Sequence, residues 1–175
     1  MSMRLMRRVK AMRKEGTRSR LTANLLRGAA AGLAGAVAMR LAHMAEQRAL
    51  LPRGAKGSEP SAAMVKALAE SREIPVSDGL ATAVGIGLQL GLGAAAGAAL
   101  AAAQNKRRWP TWVNGLGLAG ATWALTVPKG GILPKLGAAP PAENQSLDKV
   151  AIGMGAHLAY GFATAAALRA LSDRS

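Results

Sequence analysis

The chain has 175 residues, with 23 Lys and Arg against 9 Asp and Glu, and half of it is apolar although only 3% is aromatic. That length corresponds to one domain, and the absence of cysteine excludes a disulfide framework and a thiolate site. Alanine and glycine supply most of the apolar content and keep the mean hydropathy at +0.15, so a soluble Ala-rich helical bundle has to be weighed against a membrane protein.

Residues 1–22 come first. Leu5, Met6, Val9 and Met12 recur at helical spacing among Arg4, Arg7, Arg8, Lys10, Arg13 and Lys14, which predicts a basic amphipathic cytoplasmic helix. Its expected partner is a bilayer with anionic headgroups, where each Lys or Arg contributes about 1 kcal/mol. Nucleic acid fits poorly because no aromatic residue stands among the bases. A cleavable signal fits poorly too: the first apolar run begins near Leu25 and meets Arg40 and Arg48 before any cleavage pattern.

Residues 23–175 read as a four-helix transmembrane domain. The first segment, about 23–44, has a clean apolar core between Arg27 and Arg40, whose long side chains reach toward the interfaces. The second, 80–103, is the strongest: Leu80 to Ala103 holds no charge, and a soluble helix would show a polar stripe where this one has only Thr82 and Gln89. Ser77 and Asp78 stand ready to cap it. Between these two, Met64, Val65, Leu68 and Ala69 share one face of a short helix expected along the outer interface. The third segment, about 112–127, is short and stopped by Pro128. An irregular Pro- and Gly-punctuated loop leads to the fourth, about 150–171, which Ser146 is placed to cap.

Charge fixes the expected orientation. The tail, the Lys106-Arg107-Arg108 turn and the end with Arg169 and Arg174 fall on one side of such a topology. The first opposite loop balances Arg48, Arg53, Lys56, Lys66 and Arg72 with Glu46, Glu59, Glu70, Glu73 and Asp78. The positive-inside rule therefore places both termini in the cytoplasm, with Trp109 and Trp112 as interfacial anchors.

The segments also echo one another. Residues 85–93 align with 153–161, an offset of 68, and Gly32-Leu33-Ala34-Gly35-Ala36 aligns with Gly117-Leu118-Ala119-Gly120-Ala121, an offset of 85. This pattern predicts two tandem helical hairpins related by a pseudo-twofold axis along the membrane normal. Gly28 with Gly32, Gly87 with Gly91 and Gly93 with Gly97 are small pairs at i, i+4, and Gly161 belongs to the same set. They predict close helix packing, either within the chain or in a homo-oligomer.

Polar residues inside the segments are the only site candidates. Gln89 and His157 align in the repeat, so they are expected at similar depth, with Tyr160 and His43 completing an intramembrane polar cluster. Such a cluster either fastens helices or binds a proton or ligand. Asn114 and Trp123 carry the same ambiguity. No catalytic constellation is visible, two histidines without an intramembrane acid make no metal site, and glycine strings inside apolar helices do not cradle phosphate. No cofactor is expected, and an enzyme is the least favoured class.

The Gly-rich first helix ending in Ala38-Met39, the pairs Leu51-Pro52 and Leu133-Pro134, Pro60 and Val65, and Ala156-His157-Leu158-Ala159-Tyr160-Gly161 form a further pattern over roughly residues 25–171. In these residues the chain resembles the YagU-like group of small bacterial inner-membrane proteins of unknown function. The resemblance implies four helices and an inner-membrane location, and no particular activity. Similar proteins often carry a histidine in the second helix, where this chain has Gln89. The expectation is a non-enzymatic structural or interaction component, with a small transporter, channel or proton-responsive element as the alternative.

Overall fold

The computed structural model describes residues 3–50, 60–105 and 109–173, with side chains from Ser19 onward in the first helix. Among these residues there are helices and turns and no strand. Helix α1 runs from Met3 to Leu50 without interruption, so the basic stretch and the first apolar segment form one helix with no break near residue 22. Nothing in the sequence stops it: Gly16 stands alone before Gly28, and the first proline is Pro52. At 1.5 Å per residue α1 is about 72 Å long, more than twice the roughly 30 Å of a hydrocarbon core. The side chains of Arg4, Arg7, Arg8, Lys10, Arg13 and Lys14 lie outside the described residues, as do Lys106, Arg107, Arg108 and Arg174.

Helix α2, Pro60–Glu70, is followed by α3, Asp78–Gln104. The Ser77 hydroxyl accepts from the Leu80 N–H at 3.4 Å, an N-terminal cap as the sequence predicts. Instead of lying apart along an interface, α2 stands antiparallel against α3. Ser61 backs onto Gly85, where an added Cβ would sit 2.7 Å from the Ser61 carbonyl carbon, and Lys66 pairs with Asp78. Helix α4 spans Thr111–Thr126, the predicted loop holds the short α5, Ile132–Lys135, and a 3₁₀ turn at Ala142–Asn144, and α6 spans Leu147–Asp173.

Three stretches are long and apolar enough to cross a membrane: Ser19–Ala49 within α1, and the whole of α3 and α6. Helix α4 is not among them. Held between Pro110 and Pro128, its 16 residues extend about 24 Å, short of a full hydrocarbon core.

Helix α1 is central. Along one flank it packs antiparallel on α3, along another on α6, while α4 packs on the far side of α6 and α2 on α3. One end of the assembly is marked by the bonds from Asn24 Nδ2 to Asn105 Oδ1 at 2.7 Å and from Arg169 to Thr111 at 3.4 Å. The other end carries Glu46, which reaches Gly155, together with Asp78 and Thr126.

Glycine makes the seams. A Cβ on Gly28 would meet the Gly97 carbonyl oxygen at 2.5 Å, one on Gly32 would strike the Gly93 carbonyl, and one on Gly35 would strike the Thr164 hydroxyl and lie 2.8 Å from the Tyr160 carbonyl oxygen. These α1 backbones touch α3 and α6 at distances that only a missing side chain permits. Gly87 and Gly91 differ: nothing lies within 4 Å of a Cβ at either. Both are exposed, whereas Gly85, Gly93 and Gly97 on the same helix are buried, so Gly87 and Gly91 face away from the rest of the chain.

One packing pattern occurs twice, without the register of the aligned segments. Gly93 meets Gly32 and Ala36, and Gly161 meets Gly115 and Ala119. The same Gly-x-x-x-Ala contact thus recurs with a partner offset of 83 (115 − 32, 119 − 36), not 85. Gly117 and Gly120, aligned with Gly32 and Gly35 by sequence, face open space. A pseudo-twofold axis would also demand an α3–α4 contact to match the extensive α1–α6 contact. Helices α3 and α4 meet only marginally, so the pairs do not close about such an axis.

The result is an open arc in the order α2, α3, α1, α6, α4. Burial is confined to its seams, where most fully covered residues are small: Ala31, Ala36, Ala81, Ala101, Ala119 and Ala156. Large apolar residues face outward on every long element, including Leu26 (66% exposed), Leu41, Leu92 (58%), Leu125 and Phe162. Such an arrangement inverts the water-soluble pattern, in which scattered rather than continuous apolar surface is left outside.

Candidate functional site

His157 lies on the face of α6 that α1 and α4 both cover, and it is 7% exposed. Its Nδ1 is 2.7 Å from the Gly153 carbonyl one turn back, and its Nε2 is 3.2 Å from the Thr126 hydroxyl at the end of α4. The Thr126 hydroxyl is in turn 2.8 Å from the Thr122 carbonyl. Helix periodicity explains the set: Thr122 and Thr126 are one turn apart on α4, and a threonine hydroxyl inside an apolar helix turns back to the carbonyl four residues earlier.

Helix α1 brings its own polar turn to the same place. Gln47 Nε2 lies 2.7 Å from His43 Nε2, and the Glu46 carboxylate reaches Gly155, where a Cβ would displace it. Glu46 Oε2 is buried without a hydrogen-bond partner, as is the indole N–H of Trp123 one turn from Thr126. His43 is close enough to His157 for the two rings to interact electrostatically. The cluster is therefore His157, Thr126, His43 and Gln47, gathered from three helices, with Glu46 at the same end of α1 against Gly155.

Two of the predicted members go elsewhere. The Tyr160 hydroxyl donates to the Gly93 carbonyl oxygen at 2.8 Å, which fastens α6 to α3. Gln89 does not share the depth of His157. Gly32 sets against Gly93 and Gly35 against Tyr160, so Gln89 lies level with Ala36 and Tyr160, about one turn deeper than His157. The alignment at offset 68 matches residue types along two helices that pack at different heights on α1. Asn114 Nδ2 donates to the Trp109 carbonyl at 3.0 Å and holds the start of α4.

Sequence reasoning missed Thr126 and Gln47. The i, i+4 spacing of Thr122 with Thr126 and of His43 with Gln47 was the available signal, but both pairs sit at segment ends, where polar residues are ordinary. Among the described residues no three His, Cys, Asp or Glu side chains are placed to hold a metal ion. The arrangement can bind, hold or pass a proton, and it can fasten helix ends.

The chain matches no protein-family model, no curated protein and no solved structure.

Proposed function

We propose that this is an integral protein of a bacterial inner membrane, non-enzymatic, with four membrane-embedded helices and both termini cytoplasmic. It serves as a structural or interaction component within the bilayer. One observation carries the reading: an arc of helices that buries alanine and glycine at its seams and turns leucine outward has its apolar solvent outside. Lipid covers those faces at no desolvation penalty, whereas water would leave them uncompensated.

The orientation rests on charge and on the shared end of the helices. Asn24, Asn105, Thr111 and Arg169 meet at one end, and the basic tail and the Lys106-Arg107-Arg108 turn adjoin that end in sequence. In this orientation α1 carries its basic turns out of the bilayer on the cytoplasmic side, where anionic headgroups within a Debye length attract them. Helix α4 lies alongside α6 from Thr111 to Thr126 as a short fourth crossing, completed at its ends by Trp109 and the Pro128 turn. The YagU-like resemblance points the same way.

Reporter fusions at residues 60, 107, 140 and 175 test this. Residues 60 and 140 are expected outside, and 107 and 175 inside. Finding 60 and 107 on one side would remove the topology, and release of the protein from membranes by alkaline carbonate would remove the membrane reading.

A further inference from the structure

We propose that His157 is a proton-binding site that reads the pH of the compartment beyond the Glu46 end of the helices and sets how α4 is fastened to α6. The inference rests on the membrane reading only for which compartment is sensed; the hydrogen-bond geometry stands without it.

Nδ1 faces a carbonyl oxygen, which only accepts, so Nδ1 carries a hydrogen in every state that keeps the 2.7 Å contact. Nε2 faces a hydroxyl, which both donates and accepts, and that hydroxyl has a second neighbour in the Thr122 carbonyl. When His157 is neutral, bare Nε2 accepts the Thr126 hydroxyl hydrogen, and the Thr122 carbonyl gives up that bond. When His157 binds a proton, an N–H bond forms at Nε2 and donates to Thr126 Oγ, and the hydroxyl hydrogen turns back to Thr122. Both charge states are thus fully hydrogen-bonded, and passing between them needs only a hydroxyl rotation. A histidine that merely fastens helices needs one of these arrangements, not both.

Position sets the side on which the site lies. His157 lies within about one turn of the level of Glu46, at the end of the spans where α1 and α3 meet their polar termini. The charged or titratable residues of α1 near its level are Arg40, His43 and Glu46, of which His43 interacts with it and Glu46 lies against Gly155. Helix α4 contributes none between Thr111 and Thr126, and α3 none between Gly79 and Gln104. Lys129 follows α4, and Asp148 and Lys149 precede His157 by two turns on α6. Thr126 is also where α4 ends: the next residue, Val127, accepts from the Ala142 N–H at 3.2 Å, so the hydroxyl sits at the joint between α4 and the connection to α6.

The test uses the full chain in detergent micelles with ¹⁵N-labelled histidine. The chain's two histidines are told apart by His43→Gln. Expected is the Nδ1–H tautomer of His157 at alkaline pH, conversion to the doubly protonated ring on acidification, and a change in Trp123 fluorescence with the same midpoint in a Trp109→Phe, Trp112→Phe background. Thr126→Val removes the acceptor of the charged hydrogen bond, so proton affinity at His157 falls about tenfold, and Thr126→Ser restores it. An Nε2–H tautomer at alkaline pH, a Trp123 response that survives His157→Gln, or a Thr126→Val variant that titrates as the parent would each overturn the proposal. If His157→Gln does not fold, the Thr126 pair of variants still decides. Carbonate extraction, run separately, tests the membrane reading alone.

Discussion

Gly32→Ala and Gly87→Ala are the same chemical change in two helices of the same kind, and the structure assigns them opposite effects. In each case replacing glycine gains about 1 kcal/mol of helix propensity. At position 87 the new methyl meets nothing within 4 Å, so the gain stands. At position 32 it strikes the Gly93 carbonyl and lies 2.8 Å from the Gly93 carbonyl carbon and 3.1 Å from the Ala94 Cα. All three are backbone atoms and cannot rotate away, so α1 and α3 must separate. Overpacking of this kind costs about 1–3 kcal/mol. The propensity gain cancels between the variants, which leaves Gly32→Ala less stable than Gly87→Ala by about 1–3 kcal/mol. Unfolding by sodium dodecyl sulfate from a mild detergent, followed by circular dichroism, measures that difference. Equal stabilities, or a larger loss at 87, would refute the α1–α3 register and with it the depth assigned to Gln89.

Other measurements probe the remaining seams. Gly161→Ala forces its methyl onto the Gly115 carbonyl and within 2.9 Å of Ala119, whereas Gly117→Ala meets open space; the first is expected to be less stable than the second by about 1–3 kcal/mol in the same unfolding assay. Tyr160→Phe removes the 2.8 Å bond to Gly93 and is expected to lose about 1 kcal/mol; no change would mean that the α3–α6 tie is idle. At the water-exposed start of α3, ahead of the uncharged run, a hydrogen bond from Lys66, reinforced by its charge, holds the Asp78 carboxyl below its ordinary value of 3.8. A carboxyl lowered in the folded state stabilises it fully above the unfolded value and loses that contribution as pH falls through the folded one. Hydrogen-exchange protection of α2 amides is therefore expected to be constant from neutral pH to about 5 and to fall below about 4, and Asp78→Asn is expected to remove the fall; unchanged pH dependence in that variant would refute the latch.

Element existence was legible in the chain because each long helix announces itself locally. The uncharged run at Leu80 to Ala103, the Ser77 cap and the Pro128 stop are properties of neighbouring residues, and all three appear where the sequence puts them. The single α1 was readable in principle, since no proline precedes Pro52, but a change of composition near residue 22 imitated a boundary. Composition alters what a helix faces without ending it.

Height and partnership were not legible. Gly87 and Gly93 look alike in sequence, yet one faces outward and the other touches a neighbouring backbone, because which side of an Ala/Gly helix is covered depends on where another helix arrives. Gln89 and His157 align, yet they differ by about a turn in depth, because α3 and α6 seat at different levels on α1. Thr126, an ordinary residue at a helix end, became the partner of His157 only when α4 packed along α6. Local periodicity determined which segments are helices and that their surfaces are apolar; tertiary packing alone decided which small residues are seams and which polar residues meet, since a uniform apolar helix carries no mark of the side it will bury.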